Sequence, residues 1–219
     1  MTLDLFELAP TAEPQSQSLG AGATLLRGFA LARGAQLLQE IRAVSQRSPF
    51  RHLETPGGFR MSVAMTNCGE VGWVSDRTGY RYDAYDPTTG LRWPAMPAVL
   101  SELATRAAAQ GGFADFRPDA CLINRYEPGS RLSLHQDKDE RDFSAPVVSV
   151  SLGLQAVFLF GGPRRDDATR PIPLAHGDVV VWGGPSRLWY HGVRTLKDGE
   201  HPEVGRQRIN LTFRRACVR

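Results

Sequence analysis

Residues 147–182 read VVSVSLGLQAVFLFGGPRRDDATRPIPLAHGDVVVW, in which short apolar segments alternate with turn residues. Each apolar segment has the length of one strand, and the glycines, prolines and aspartates between them are turn formers. The pattern extends in both directions, from about residue 119 to the end, and it predicts eight strands. They lie at residues 120–126, 131–136, 147–152, 156–160, 171–174, 178–182, 188–191 and 208–214. Eight is the strand number of a jelly roll, so we expect a mainly β fold of the α+β class.

The chain before residue 119 has a different character. Residues 1–22 are rich in Pro, Gln, Ser, Gly and Ala without period, and we expect a loosely ordered arm. Apolar side chains recur at helical spacing in residues 32–47 and 97–110, which predicts two packing helices. Glycines, aromatics and short alternating runs predict hairpins and exposed loops within residues 55–85. One structural domain is expected, with regions at 1–22, 23–118 and 119–219.

Composition and charge limit the classes of protein to consider. The formal net charge is +3, with arginine outnumbering lysine, which permits contact with phosphates without requiring it. The three cysteines, Cys68, Cys121 and Cys217, are too widely spaced for a disulfide framework or a zinc motif. The sequence shows no signal-peptide pattern and no run of about 18 apolar residues, so no membrane segment is expected. A cytoplasmic protein in a reducing compartment fits best.

The stretch Ser133-Leu-His-Gln-Asp-Lys-Asp139 places an imidazole and a carboxylate two positions apart, in His135 and Asp137. Side chains two apart on a strand share a face, so both can bind one ion. Two histidines and one carboxylate form the facial triad of non-haem Fe(II) oxygenases. An isolated His-x-Asp is more often two solvated residues, and the candidates for a second histidine are His52, His176, His191 and His201. His191 is favoured because it ends a short aromatic segment between glycines, which indicates a buried strand.

Strand 208–214 carries a second informative pattern, in which polar and apolar residues alternate. The polar face holds Arg208, Asn210, Thr212 and Arg214. For an isolated strand, the simplest interpretation is a face turned to water. Beside a metal site, the same face suits a small dicarboxylate, because one guanidinium can bind its far end and a second cation can lie near its iron-bound end. On strand 120–126 the residues that share a face are Leu122, Asn124 and Tyr126, although core packing also explains Leu122.

These motifs together resemble those of the AlkB-type Fe(II)/2-oxoglutarate-dependent dioxygenases. The resemblance is carried by His135-x-Asp137, by His191 and by Arg208-x-Asn210-x-Thr212-Phe213-Arg214. A His-x-Asp with a distant histidine marks the whole oxygenase superfamily, whereas the arginine motif is more specific. Supporting stretches lie at residues 61–69, 93–97, 118–126, 132–140 and 177–184, so the resemblance covers about residue 20 to the end.

The resemblance implies a double-stranded β-helix core with a catalytic iron bound by His135, Asp137 and His191. It implies Fe(II) as cofactor, with 2-oxoglutarate and O2 as cosubstrates. Around 2-oxoglutarate it implies Leu122, Asn124, Arg125, Tyr126, Arg208, Asn210, Thr212 and Arg214. Within that group Arg214 is expected to bind the carboxylates together with Asn124 and Tyr126, and Arg208 is expected near the iron-bound end.

The same resemblance implies oxidative demethylation of 1-methyladenine and 3-methylcytosine in DNA. This direct-reversal repair converts 2-oxoglutarate to succinate and releases formaldehyde, and region 23–118 then carries the nucleotide-recognition hairpins. Around the damaged nucleotide we expect Trp73, Tyr80, Arg81, Tyr82, Asp139 and Arg165. A base methylated in this way is cationic, which suits an indole face and a carboxylate, and its lost pairing favours a single-stranded or flipped base. For these side chains, rim packing or a surface ion pair is the simpler alternative.

Two other functions stay open at this point. A dioxygenase of the same fold that acts on RNA or on another substrate would keep the same iron and cosubstrate residues. A non-enzymatic sensor of alkylated nucleic acid would need neither the complete triad nor both arginines, so the sequence favours it less. The expected partner is alkylated DNA, with RNA as an alternative, and the expected oligomeric state is a monomer.

Overall fold

The computed structural model describes residues 15–217. The helices are α1 (Gly34–Arg47) and α2 (Ala98–Gln110). The strands are β1 (Ser16–Gly20), β2 (Ala23–Leu26), β3 (Arg51–Glu54), β4 (Arg60–Gly69), β5 (Gly72–Asp76), β6 (Gly79–Asp83), β7 (Ala120–Tyr126), β8 (Leu132–His135), β9 (Val147–Gly153), β10 (Ala156–Phe160), β11 (Arg170–Leu174), β12 (Val179–Trp182), β13 (His191–Val193) and β14 (Arg208–Arg214).

The strands from β7 onward are divided between two antiparallel sheets. The large sheet has the order β1-β2-β12-β9-β14-β7-β4-β3, and the small sheet has the order β11-β10-β13-β8. Apolar side chains of both sheets, such as Val180 and Phe158, pack in one buried cluster. Because the chain crosses repeatedly between the two sheets from β7 to β14, the core is the expected double-stranded β-helix.

The helices cover the other face of the large sheet. Helix α1 buries Leu37, Ile41 and Val44, and these side chains pack in the same cluster as Val150 and Leu211 of the large sheet. Strands β7, β9, β12 and β14 of the large sheet are buried along almost their whole length, because both faces of this sheet are covered. Both predicted helices are confirmed to within two residues. Within residues 15–217, no helix has both the length and the apolar character needed to cross a membrane.

The hairpins expected within residues 55–85 are also present. Strands β3 and β4 form one hairpin, and β5 and β6 form a separate two-stranded sheet. The β5–β6 turn is fixed by Asp76, whose Oδ1 accepts a hydrogen bond from the backbone N–H of Thr78 at 2.8 Å. This second hairpin carries Trp73, Tyr80 and Tyr82, and it packs beside β3, β4 and β7.

The strand predicted at residues 188–191 is wrong, because the chain turns there. The N–H of Arg187 donates to Gly184 O and the N–H of Trp189 donates to Ser186 O, which are turn hydrogen bonds. Strand β13 begins only at His191. The buried guanidinium of Arg187 also donates to the carbonyl oxygens of Ala145 and Asp137, and these bonds hold the turn against the segment between β8 and β9.

The loosely ordered arm predicted at residues 1–22 needs correction at its end. Ser16–Gly20 forms strand β1, which pairs with β2 through backbone hydrogen bonds. The local composition did not indicate this strand, because its pairing partner supplies the order. Residues 1–14 lie outside the described residues, and the division of the chain into three regions stays a prediction.

Candidate metal centre and cosubstrate site

Three side chains with metal-binding atoms meet where β8 and β13 pair. His135 ends β8, His191 begins β13, and the two residues are direct partners in the ladder. The Asp137 carboxylate lies 3.8 Å from Nε2 of each histidine. One ligand atom from each residue lies within 4.8 Å of the others. The predicted triad therefore converges, although β8 ends at His135 and Asp137 reaches the site from the loop that follows.

Hydrogen bonds orient both imidazoles for metal binding. Nδ1 of His135 lies 2.9 Å from Ser133 O, and Nδ1 of His191 lies 2.9 Å from Trp189 O. A carbonyl oxygen accepts only from a protonated Nδ1, so each Nε2 keeps its lone pair for a metal. Burial, and after it the neighbouring His135, lowers the pKa of His191 to about 3, which keeps this ring neutral near pH 7. Neutral histidines are the form that a metal ion requires.

The carboxylate of Asp137 is paired with a buried arginine. Nε and Nη2 of Arg214 donate to its two oxygens at 3.0 and 2.8 Å. Burial opposes ionisation of Asp137, but the Arg214 guanidinium holds the pKa of this carboxyl well below its usual range. Arg214 thus lies beside the metal-binding residues. The prediction placed Arg208 near the iron-bound end, whereas in the structure it is Arg214 that pairs with the predicted metal ligand Asp137.

Arg208 lies at the other end of the polar face and is 1 % exposed. Its Nε donates to Ser151 Oγ at 2.9 Å, and its guanidinium carbon stacks 4.9 Å from the ring centre of Tyr126. Within residues 15–217, Arg208 Nη1 and the Tyr126 hydroxyl are buried and have no hydrogen bond of good geometry, although the two groups interact with each other. Burial lowers the pKa of Arg208 and raises that of Tyr126.

Two unpartnered donors in one buried place fit a carboxylate, since buried polar groups are otherwise hydrogen-bonded. Asp137 and the two imidazoles fit a divalent iron at the opposite end. Arg214 and Arg208 belong to the same strand face, so a dicarboxylate bound to iron at one end would meet a cation at each end. The residues of this site therefore fit both Fe(II) and 2-oxoglutarate.

The remaining residues predicted for the cosubstrate divide between two faces. Asn124 Nδ2 and Thr212 Oγ1 both donate to Asn210 Oδ1, at 3.2 and 3.0 Å, so these three join one buried network. Leu122 packs in the core between the two sheets. Arg125 does not join them, because side chains alternate along β7 and Arg125 lies on the face opposite to Asn124 and Tyr126. Its guanidinium lies 4.9 Å from the ring centre of Phe50. The structure therefore places Arg125 apart from the other residues predicted to bind the cosubstrate.

The predicted nucleotide residues are brought together only in part. Trp73 and Tyr80 stack with their ring centres 5.6 Å apart, and Trp73 Nε1 donates to Asp139 Oδ2 at 2.8 Å. Tyr82, which pairs with Trp73 across the hairpin, points to the same region. Arg81 alternates to the opposite face and forms an ion pair with Asp76 at 2.9 Å.

Arg165 lies in the loop between β10 and β11. Its guanidinium carbon is 5.9 Å from the ring centre of Tyr190, the residue before His191. Arg165 therefore lies near the metal-binding residue His191, and among residues 15–217 its aromatic partner is Tyr190 rather than a ring of the β5–β6 hairpin.

Two buried charged residues at this site were not predicted. Glu140 and Arg187 form an ion pair at 3.1 Å, and Glu140 also lies 3.2 Å from Arg214. Glu140 follows Asp137 in a run of charged residues, which is typical of a segment exposed to solvent. Arg187 is a single charged residue before an aromatic segment, so no pattern marked it. The close spacing of Glu140 to the metal ligands was the one available signal.

Comparisons with known proteins agree with this geometry. The chain matches the 2OG-Fe(II) oxygenase superfamily over residues 22–214. It is 57 % identical over 214 residues to the alpha-ketoglutarate-dependent dioxygenase AlkB of Escherichia coli (strain K12), which covers 98 % of each protein. The nucleic acid dioxygenase ALKBH1 of Homo sapiens is 37 % identical over 129 residues, 58 % of this chain and 33 % of that protein.

A solved structure has the same fold. The structure of OsALKBH1 matches with a TM-score of 0.78 and 30 % sequence identity, over 92 % of this chain and 100 % of that chain. The chain therefore belongs to the AlkB group of the 2OG-Fe(II) oxygenase superfamily, and it is a dioxygenase that depends on Fe(II), 2-oxoglutarate and O2.

Proposed function

We propose that this dioxygenase demethylates alkylated bases in DNA, with 1-methyladenine and 3-methylcytosine as substrates. The observation that carries the proposal is the hydrogen bond from Trp73 Nε1 to Asp139 Oδ2, at 2.8 Å. Asp139 follows the metal ligand Asp137 by two residues. An aromatic surface is thus joined to a carboxylate beside the residues that bind the metal.

The charge of this region favours a cationic base. Methylation of a ring nitrogen gives the base a positive charge, and an indole face is the best aromatic partner for a cation. The Asp139 carboxylate adds a negative charge at the edge of the Trp73 ring, and Tyr80 extends the aromatic surface by stacking on it with an interplanar angle of 14°. Extruding a base costs roughly a few kcal/mol and least for a damaged one, so methylated bases reach such a surface more easily.

Nucleic acid as the class of substrate has two further supports. One relative of this chain is named a nucleic acid dioxygenase. Arg165 lies at the rim beside Tyr190, where its guanidinium can bind a phosphate and position the strand without reading its sequence.

The residues of the chain divide the work of the reaction between them. Iron and 2-oxoglutarate, when bound, supply the oxidation, which consumes O2, yields succinate and carbon dioxide and releases the methyl carbon as formaldehyde. Arg208 and Tyr126 would hold the far carboxylate of 2-oxoglutarate, and Arg214 would lie near the metal end. Trp73 and Asp139 would orient the methylated base toward the metal.

The proposal is tested with Fe(II), 2-oxoglutarate, ascorbate, air and an oligonucleotide that contains one 1-methyladenine. We expect mass spectrometry to show the loss of one CH2 unit, with formaldehyde and succinate formed in equal amounts. His135→Ala should abolish the loss, whereas His201→Ala, in a loop outside the triad, should retain it. Intact oligonucleotide with the unaltered enzyme would count against demethylation, provided that the same preparation binds 2-oxoglutarate.

The same assay with an RNA oligonucleotide decides between the two nucleic acids. Faster turnover of the RNA would identify RNA as the preferred substrate and would overturn the choice of DNA. A cytoplasmic location and a monomeric state stay predictions, and the buried thiols of Cys68 and Cys121 fit the first, because disulfides are rare in reducing compartments. Size-exclusion chromatography with light scattering measures the second.

A further inference from the structure

Glu140 is a buried carboxylate that contacts three elements at once. Its side chain is 2 % exposed. Oε1 accepts a hydrogen bond from the Tyr82 hydroxyl at 2.7 Å and lies 3.2 Å from Nε of Arg214, and Oε2 accepts from Nη2 of Arg187 at 3.1 Å. Two hydrogen-bond donors, from the β5–β6 hairpin and from the turn before β13, and one ion-pair partner, from β14, therefore meet at one carboxylate.

Glu140 also balances the charge beside the metal centre. Arg187 and Arg214 are both buried, and so are the carboxylates of Asp137 and Glu140. A buried cation that loses its partner is strongly destabilised, so removing one carboxylate would leave two guanidinium groups to compete for the other. Asp137, which already pairs with Arg214, would then have to balance the charge of both guanidinium groups while it binds the metal.

The same carboxylate fixes the hairpin. Tyr82 pairs with Trp73 across the β5–β6 ladder, and Trp73 in turn donates to Asp139. The hairpin is thus tied to two consecutive residues, Asp139 and Glu140, which lie two and three positions after the metal ligand Asp137. A displacement of Glu140 would move Arg214 and the aromatic hairpin together.

We propose that Glu140 is a positioning residue. Its carboxylate holds Arg214 at the metal end of the site and, at the same time, holds the Tyr82 hydroxyl of the β5–β6 hairpin. The partners of Glu140 are Tyr82, Arg187 and Arg214, and none of these is a predicted metal ligand. Glu140 therefore acts through its neighbours. The role at Arg214 concerns 2-oxoglutarate binding, and the role at Tyr82 rests on the proposed function of the hairpin.

The test compares Glu140→Gln with Tyr82→Phe by two measurements that need no turnover. Calorimetry gives the affinity of the Ni(II)-loaded protein for 2-oxoglutarate, and hydrogen exchange gives the protection of the β5–β6 amides in the metal-free protein. Glu140→Gln should weaken 2-oxoglutarate binding about ten-fold or more, because the Arg214 guanidinium loses a charged partner. It should also raise exchange in the hairpin.

Tyr82→Phe should raise exchange in the hairpin to a similar degree and leave the affinity for 2-oxoglutarate unchanged. In the double variant the two exchange effects should not add, because both act through one hydrogen bond. Glu140→Asp, which keeps the charge on a shorter side chain, should recover part of the affinity, and it replaces Glu140→Gln if that variant is unstable.

A folded Glu140 variant with unchanged affinity for 2-oxoglutarate, or with unchanged exchange in the hairpin, would overturn the proposal. Absence of demethylation in the unaltered enzyme would instead reject the proposed function. The calorimetric result for Glu140 would stand in that case, so the two failures are distinguishable.

Discussion

We predict that the Tyr126 hydroxyl destabilises the protein without 2-oxoglutarate but strengthens the binding of 2-oxoglutarate. Among residues 15–217, this hydroxyl is buried and finds no hydrogen bond of good geometry, and its one polar neighbour is the Arg208 guanidinium. A buried polar group without a hydrogen bond costs about 1–3 kcal/mol, and Tyr126→Phe removes that cost while keeping the ring on which Arg208 stacks. The variant should therefore be more stable, with Tm raised by roughly 2–4 °C per kcal/mol for a chain of this size.

In the presence of 2-oxoglutarate the effect changes sign. A hydrogen bond to a charged group contributes about 1.5–3 kcal/mol, so loss of the hydroxyl should weaken 2-oxoglutarate binding roughly 10- to 150-fold. Scanning calorimetry of the metal-free protein and titration of the Ni(II) form with 2-oxoglutarate measure the two effects on one preparation. Tyr85→Phe is the matched control, because Tyr85 is 47 % exposed and lies outside the site.

The two results together test the placement of the cosubstrate. Unchanged affinity of Tyr126→Phe for 2-oxoglutarate would show that the hydroxyl does not meet the carboxylate and would refute the assignment of this end of the site. Lower stability of the metal-free variant would show that the hydroxyl has a partner in solution.

Two other predictions concern the metal and the base. Mn(II) added to EDTA-treated protein at about 100 times its Kd should stabilise the fold by about 2.7 kcal/mol, which thermal unfolding measures as a rise in Tm. His135→Ala removes one of the three ligands and should lose this rise. An equal rise in Tm for both proteins would contradict metal binding by the triad. Trp73→Phe keeps an aromatic face but loses the donor to Asp139, so it should raise KM for a 1-methyladenine oligonucleotide about ten-fold while the KM for 2-oxoglutarate stays constant, as steady-state formaldehyde assays would show. A parallel change in both constants would mean that the indole acts on the fold rather than on the base.

The alternation of side chains along strands β7 and β14 correctly predicted which residues share a face. Asn124 and Asn210 were assigned to the same face of their strands, and they are direct partners across β7 and β14. Alternation gives the face of a side chain but not its position along a pocket. The order of Arg208 and Arg214 relative to the metal was therefore reversed, since it depends on where Asp137 returns to the sheet.

Features that depend on distant partners could not be predicted from local sequence. An aromatic segment at residues 188–191 resembles a strand, but the turn there is fixed by hydrogen bonds from Arg187 to residues some 40 to 50 positions away. Glu140 can be buried because Arg187 and Arg214 neutralise its charge, and the periodicity of a sequence does not reveal ion pairs between distant residues. Strand β1 likewise requires β2 beside it.

The pair β1 and β2 has a consequence for solubility. Strand β2 pairs with β12, whose residues Val179 to Trp182 are all buried, and without β2 their free N–H and C=O groups would form the rim of the large sheet. An apolar rim of that kind is a template for association with other chains. In the part of the chain that the structure describes, the edge strand is instead β1, which is short and carries exposed Ser16, Gln17 and Ser18. This edge of the sheet is therefore polar and less prone to aggregation.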